Sequence, residues 1–263
     1  MKLFEMLEHY RKRLPEELAK ARVCQDIILK ALSDGPLSRN VTIKGGVVMQ
    51  NVTGSDRRAT RDIDLDFIRY SLTDDKIKSF VSSLNCLNGI RITILGPIID
   101  LKHENYRGRR IEVSISDGED TIKSKLDIGI HKHLELKQKE YCFDVCMDDE
   151  GASLLINSQE QMFAEKLYSL LKLGIYSERY KDIYDMYFLA RNIDTAKLKN
   201  AVKILIFDDS EMRENTLRDI IDRISYIFGN KDYIKKLNSA RQKWIDENAE
   251  AVTETIINCL KQL

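Results

Sequence analysis

The chain has 263 residues, 43% of them hydrophobic and 32% charged, with equal numbers of acidic and basic side chains. This balance is typical of a globular protein with one large core or two smaller ones, and it excludes a collagen-like or linker-dominated chain. Because the formal net charge is zero, a nucleic-acid partner would have to meet a local basic surface. We expect neither a membrane span nor a signal peptide, and the five scattered cysteines favour a reducing, cytoplasmic setting.

The pattern of apolar residues predicts elements of both kinds in the first half of the chain. In chain order they are a helix over 15–33, a strand over 41–43, a helix over 47–52, a strand over 63–68, a helix over 73–85, and strands over 110–116, 121–130 and 141–146. From Gln159 onward nearly all of the pattern is helical. We therefore predict an α+β fold, with a mixed sheet and flanking helices over 1–155 and an all-α domain over 156–263.

The most informative segment is Arg61-Asp-Ile-Asp-Leu-Asp-Phe67. On a strand, Asp62, Asp64 and Asp66 share one face, and successive members of that face are only about 6–7 Å apart. Like charges at that separation repel unless cations lie between them, and carboxylate oxygens are the ligands that Mg²⁺ or Mn²⁺ prefers. The sequence therefore predicts a metal site here, with a solvated strand face that carries incidental acids as the alternative.

Two further features support a nucleotide site. Gly45-Gly46 is predicted to form a strand-to-helix turn, where free backbone N–H groups favour a phosphate and glycine permits close approach. In Lys125-Leu-Asp-Ile-Gly129, Asp127 faces away from the apolar side of a predicted strand, as a third carboxylate in a two-metal site would. Asp117 and Asp120 are typical of a turn.

The helical half contains two charged segments, Glu160-Gln-Met-Phe-Ala-Glu-Lys166 and Arg179-Tyr-Lys-Asp-Ile-Tyr-Asp185. Asp182 and Asp185 are three residues apart and share one helix face. From these residues alone, a surface with many salt bridges is as good an interpretation as a functional site.

Together these segments resemble the AbiEii/AbiGii toxin family of nucleotidyltransferases, within the DNA polymerase beta-type superfamily. The resemblance covers residues 41–190. It is carried by Lys44-Gly-Gly46, by Arg58-Ala-Thr-Arg-Asp62-Ile-Asp64-Leu, by Ala164-Glu-Lys166-Leu, and by Arg179-Tyr-Lys-Asp182-Ile-Tyr-Asp185.

The resemblance implies a toxin of a bacterial toxin–antitoxin or phage-defence system that transfers a nucleoside monophosphate from an NTP to RNA, such as the 3′ end of tRNA. It implies Mg²⁺ or Mn²⁺ on Asp62, Asp64 and Asp127, with Asp117 or Glu112 as alternatives for the third ligand. Lys166 would contact the triphosphate, and Asp182 would support that lysine from the helical domain, which would complete the active site. The nucleotide-binding set would be Lys44, Gly45, Gly46, Arg58 and Lys166, and the expected partners are an antitoxin protein and RNA.

Two other functions are compatible with the same residues: nucleotidylation of a small molecule such as an antibiotic, and nucleotide binding without catalysis. A locally basic segment favours a polyanionic acceptor. Its members are Lys102, Arg107, Arg109, Arg110, Lys123, Lys132 and Lys137. Retention of Asp62, Asp64 and Lys166 argues against a module that only binds a nucleotide.

Overall fold

Alternating apolar residues in the first half of the chain form a seven-stranded mixed sheet. The computed structural model describes residues 2–103, 106–241 and 243–263, and the side chains of 102, 103, 106 and 107 lie outside that description. The strands are β1 Val41–Lys44, β2 Ile63–Phe67, β3 Arg91–His103, β4 Tyr106–Ser116, β5 Thr121–Ile130, β6 Lys139–Val145 and β7 Asp148–Ile156. The first four helices are α1 Leu3–Arg11, α2 Glu16–Asp34, α3 Gly45–Thr53 and α4 Asp74–Ser83.

The sheet order is β3-β4-β5-β2-β1-β7-β6. β2 pairs in parallel with β5 and β1 pairs in parallel with β7, whereas the other neighbours are antiparallel. One face of the sheet is apolar and buried, and α2 packs on this face, where the thiol of Cys24 lies 3.6 Å from the carbonyl oxygen of Lys123. The opposite face carries the acidic residues of β2 and β5, and this two-sidedness is what the alternating sequence dictates.

The chain forms two compact units, Met1–Asn157 and Ser158–Leu263. The second unit is helical, as expected from the sequence after Gln159. Its helices are α5 Gln159–Leu173, α6 Tyr180–Ala190, α7 Thr195–Val202, α8 Leu217–Phe228, α9 Lys231–Ser239 and α10 Ala249–Lys261. Four of these six helices begin where an Asp, Thr or Asn side chain accepts a hydrogen bond from the first turn, and Ser158 does the same for α5.

The mixed α/β prediction is confirmed, but several element boundaries differ. The predicted strand-to-helix turn at Gly45-Gly46 is confirmed, because β1 ends at Lys44 and α3 begins at Gly45, whose φ angle is +67°. Asp62 precedes β2 and is exposed, so the strand contributes only Asp64 and Asp66. α1 and β7 were not predicted, since both are short amphipathic segments whose burial depends on distant partners. In the described part of the chain, no helix is both long enough and apolar enough to span a bilayer.

Candidate active site

Strand pairing gathers four charged residues from separate parts of the chain into one row. Lys44 of β1 lies opposite Asp64 of β2, Asp64 opposite Asp127 of β5, and Asp127 opposite Arg110 of β4. Neighbouring strands are about 4.8 Å apart, so these side chains are direct neighbours on one face. We refer to Lys44, Asp64, Asp127 and Arg110 as the carboxylate row.

Gly45 brings the start of α3 against Asp64. Its φ angle is +67°, and a Cβ atom at this position would lie 2.2 Å from Oδ2 of Asp64. At Gly46, a Cβ atom would lie 2.5 Å from Oγ1 of Thr60. Two consecutive positions therefore require glycine, for different neighbours. The N-terminus of α3, which favours an anion, lies directly beside the carboxylate.

The acidic side chains around Asp64 lie close enough to repel its negative charge. Burial raises the pKa of Asp64 to about 6; Lys44 opposes this shift, and the nearby charges of Asp127, Asp62 and Asp66 add to it. Asp66 is only 7% exposed, and the ammonium group of Lys44 lies 2.7 Å from its Oδ1 atom. Lys44 therefore neutralises a buried acid of β2 in addition to the role in nucleotide binding that the sequence suggests.

Asp127 is held by Arg110. The guanidinium donates from Nε to Oδ1 at 2.7 Å and from Nη2 to Oδ2 at 2.6 Å, so both carboxylate oxygens are engaged. The side chain of Asp127 is 15% exposed and that of Arg110 is 40% exposed. Among the described residues, no group of three or more His, Cys, Asp or Glu side chains is arranged to hold a metal ion. Asp127 is thus adjacent to Asp64 but is already paired with a cation.

The donor set nevertheless suits a hard divalent cation. Asp64 and Asp127 are direct neighbours, the pKa of Asp64 is raised by burial and by the acids around it, and carboxylate oxygens are the preferred ligands of Mg²⁺. A cation between the two carboxylates would relieve their repulsion as Arg110 does at present. The two alternatives for the third ligand are less well placed. Glu112 lies two residues from Arg110 along β4, and Asp117 caps the β4–β5 turn by accepting hydrogen bonds from the backbone of Glu119 and Asp120.

Arg58 lies in a short 3₁₀ turn, Asp56–Arg58, and is 3% exposed. A guanidinium that meets a phosphate delivered from solvent is expected to be accessible, so the burial of Arg58 does not favour that role. Its contact with phosphate stays a prediction of the resemblance.

A second charged cluster lies in the helical unit. The ammonium group of Lys166 on α5 lies 2.7 Å from Oδ1 of Asp182 and 2.9 Å from Oδ2 of Asp185, both on α6. Arg179 also pairs with Asp182 at 2.5 Å, and the indole N–H of Trp244 donates to Asp185 at 3.1 Å. The expected contact between Asp182 and Lys166 is confirmed, while their roles toward a nucleotide stay predictions.

These pairs shift the proton affinities of the buried groups. Burial alone would raise the pKa of Asp182, but Lys166 and Arg179 outweigh it and hold the pKa at about 2. Burial alone would lower the pKa of Lys166, and the charges of Asp185 and Asp182 raise it above its ordinary value. Asp182 and Lys166 are therefore both ionised at neutral pH.

Sequence reasoning missed the specific partners of these groups. Arg110 was treated only as one member of a basic segment, although a turn centred on Asp117–Asp120 places it opposite Asp127 in the β4–β5 hairpin. Of that basic segment, Arg109 pairs with Asp74 and Asp100, and the side chains of Lys102 and Arg107 lie outside the described residues. Asp185 was noted only as a neighbour of Asp182, and nothing local in the sequence points to Trp244.

Comparison with known proteins gives one family, and three of the similar solved structures are described below. The model of the nucleotidyl transferase AbiEii toxin family, of type IV toxin–antitoxin systems, matches residues 27–251. A candidate nucleotidyltransferase from H. pylori is similar in fold, with a TM-score of 0.53 and 17% identity over 95% of each chain. Comparison with curated proteins gives no match.

Two further structures have lower similarity. JHP933 from Helicobacter pylori gives a TM-score of 0.49 at 17% identity, over 95% of this chain and 92% of that one. An antigenic nucleotidyltransferase-like protein from Paracoccidioides brasiliensis gives 0.43 at 14% identity, over 80% of this chain and 97% of that one. Because the family model matches most of the sequence, this chain belongs to the AbiEii nucleotidyl transferase toxin family and is a nucleotidyltransferase of the toxin–antitoxin type.

Proposed function

We propose that this toxin transfers a nucleoside monophosphate from an NTP to an RNA 3′-hydroxyl, with Mg²⁺ or Mn²⁺ held by Asp62, Asp64 and Asp127. The observation that carries the proposal is the close approach of Gly45 to Asp64, which sets the anion-favouring N-terminus of α3 beside a carboxylate. A triphosphate and its cations need these two elements side by side.

Each residue has a defined task in this mechanism. Gly45 and Gly46 let backbone N–H groups of α3 approach the phosphates, and Lys44 keeps the buried Asp66 neutralised beside them. Asp64 and Asp127 supply oxygen ligands from adjacent strands, and the exposed Asp62 supplies another from the entrance of β2. When bound, the divalent cations would stabilise charge on the attacking and leaving oxygens. Lys166, with Asp182, is proposed to contact the triphosphate.

An antitoxin protein is the proposed regulatory partner, as the type IV toxin–antitoxin family suggests. A tRNA 3′ end is the proposed form of the RNA acceptor, and phage defence is the proposed setting. The sheet face and its charges suit a polyanion better than a small neutral acceptor.

The test is incubation with each α-labelled NTP, Mg²⁺ and total RNA, followed by separation of labelled RNA from labelled small molecules. Asp62→Ala and Asp64→Ala should each reduce transfer at least about a thousandfold, because metal stabilisation of the transition state amounts to several kcal/mol. Asp75→Ala, at an exposed position of α4, serves as the matched control. Labelled small molecules without labelled RNA would contradict the RNA acceptor, and undiminished transfer by the Asp64 variant would contradict the site.

A further inference from the structure

The outer half of the sheet, β3 to β5, has one face that carries polar and basic side chains. On β5, the buried residues Ile122, Ser124 and Leu126 alternate with the exposed residues Lys123 and Lys125. Asp127 continues the outward-facing series, so the two lysines share a face with the carboxylate row. The described helices that pack against this part of the sheet include α2, which contacts β5 from the opposite, apolar face, and α4, which contacts β3, where Ile92 is buried while Arg91 and Thr93 stay exposed.

Strand register extends this face across two more strands. Lys123 lies opposite Ser114 of β4, which in turn lies opposite Thr93 of β3. In the next row toward the hairpin turn, Thr121 lies opposite Ser116 and Ser116 opposite Arg91. Hydroxyl groups and cations are the side chains that contact phosphate and sugar oxygens in nucleic-acid interfaces. We define this surface as the outer sheet face; its members are Arg91, Thr93, Ser114, Ser116, Thr121, Lys123 and Lys125.

The cations of this face are available to a ligand. Among the described residues, Lys123, Lys125 and Arg91 make no side-chain ion pair, whereas Arg109 and Arg110 nearby are already paired with aspartates. Glu112 lies opposite Lys125 in register and is an exposed acid on the same face, but among the described residues it forms no ion pair with that lysine. An exposed cation without a partner costs little to maintain, so these lysines are free to interact with an anion from solvent.

The two lysines of the outer sheet face lie in line with Asp127 along β5. Outward-facing residues along a strand are about 6–7 Å apart, so Lys125 is about 7 Å and Lys123 about 13 Å from Asp127 along β5. A polyanion bound along these lysines would end at the carboxylate row. The charge complementarity and this alignment favour one occupant, a single-stranded RNA whose terminal hydroxyl reaches Asp64 and Asp127.

We propose that the outer sheet face is the binding platform for the RNA acceptor, with Lys123 and Lys125 as its phosphate contacts. This inference rests on the proposed function and adds to it the surface that holds the acceptor. In this arrangement the two lysines position RNA and take no part in nucleotide or metal binding.

The experiment measures RNA binding by fluorescence anisotropy, with a 5′-labelled single-stranded RNA and without NTP. Reversal of both charges in the double variant Lys123→Glu, Lys125→Glu should weaken binding by roughly 25- to 100-fold, from about five- to tenfold per lysine. In the milder variant Lys123→Gln, Lys125→Gln, the plot of log affinity against log salt concentration should become shallower, with the magnitude of its slope lower by about 1.4. Lys139→Glu is the matched control: Lys139 is exposed on β6, about 19 Å away across the same sheet, and RNA affinity should change less than twofold.

Stabilisation of each variant by Mg²⁺ with NTP is measured in parallel and should equal that of the wild type. Undiminished RNA affinity in the charge-reversed variant, or an equal loss in Lys139→Glu, would overturn the platform while leaving the proposed function intact. A wild type that binds no RNA would instead overturn the RNA acceptor itself. Retained RNA affinity with loss of binding to poly-glutamate, a probe for an acidic protein, would assign the face to a protein partner and overturn the proposal.

Discussion

At the scale of single residues, Gly45 is constrained by both its backbone and its neighbour. The φ angle of +67° lies in the left-handed region, and no space for a Cβ atom exists beside Asp64. Gly54 has nearly the same backbone, with φ at +62°, but no atom lies within 4 Å of a Cβ built there. Substitutions at Gly45 and Gly54 therefore distinguish the effect of backbone strain from the effect of a contact with the carboxylate of Asp64.

We predict that Gly45→Ala loses transfer activity by about a hundredfold or more, because displacement of Asp64 by roughly 1 Å misplaces the reacting groups. Gly54→Ala should bear a similar backbone cost of about 1–2 kcal/mol and keep its activity. Transfer rates and thermal melts of both variants are the measurements. Equal activity in the two variants would show that Asp64 tolerates the displacement.

Arg110 donates hydrogen bonds to both oxygens of Asp127, so a substitution of Arg110 tests whether this pairing competes with metal binding. Replacement by Met leaves a half-buried carboxylate beside Asp64 without its cation. We predict a lower melting temperature for Arg110→Met in EDTA and a larger stabilisation by Mg²⁺ than in the wild type, since the metal no longer competes with the guanidinium. Arg109→Met, which loses pairs with Asp74 and Asp100, is the control. An Mg²⁺ shift no larger than that of the wild type would contradict the competition.

At the scale of elements, Lys166 connects α5 to α6 through two buried carboxylates. Its side chain is 11% exposed, and Asp185 is fully buried. Loss of this ammonium group removes the cation that the two buried carboxylates share, although Asp182 keeps its pair with Arg179, and breaking a buried pair in this way costs about 3–5 kcal/mol. A loss of activity in a Lys166 variant therefore has to be separated from unfolding of the helical unit.

We predict that Lys166→Met lowers the free energy of unfolding by about 3–5 kcal/mol. Lys172 lies on the same helix as Lys166, and Lys172→Met removes an exposed pair with Glu211 and a cation–π contact with Tyr168, so it should cost less than about 1 kcal/mol. Urea denaturation of both variants measures the difference. If Lys166→Met is as stable as Lys172→Met, the buried pairs do not stabilise the helical unit. A loss of transfer activity in Lys166→Met would then report on the role of Lys166 in the reaction and not on unfolding.

The cluster of Lys166, Asp182 and Asp185 predicts that the stability of the folded protein depends on pH. The pKa of Asp182 is about 2 in the folded chain, below the value of about 4 of an unfolded aspartate. A depressed folded pKa contributes stability that is present above pH of about 4 and is lost as the pH falls toward 2, with a size of about 2 kcal/mol. We predict that Asp182→Asn is less stable than the wild type at pH 7 and that the gap narrows toward pH 2. Denaturation at both pH values checks this, and a constant gap would contradict it.

At the scale of the whole molecule, metal and nucleotide should stabilise the fold cooperatively. Asp64 and Asp127 bring acidic oxygens together, and the N-terminus of α3 adds a site for phosphate, so each ligand completes the site of the other. We predict that Mg²⁺ with NTP raises the melting temperature by more than the sum of the separate shifts. An equal shift by NTP in the presence of EDTA would contradict a metal-dependent site.

The sequence by itself determined the class of fold, the acidic strand and the family. Alternation in β2 and β5 fixes which side chains face away from the core, because the period of a strand is two, so Asp64 and Asp127 were identified without coordinates. The helical character after Gln159 also follows from local spacing, and the contact between Asp182 and Lys166 is one that the family resemblance implies.

Only the tertiary structure decided which of these groups are neighbours. Arg110, Asp127, Asp64 and Lys44 come from four strands, and their alignment depends on a parallel pairing of β2 with β5 that no local pattern specifies. The same holds for Trp244, which reaches Asp185 across 59 positions of sequence. Periodicity is a property of a single segment, whereas the partner of a charge in the sheet is set by long-range pairing, and that is the physical reason Asp64 and Asp127 could be found in the sequence but the pairing of Asp127 with Arg110 could not.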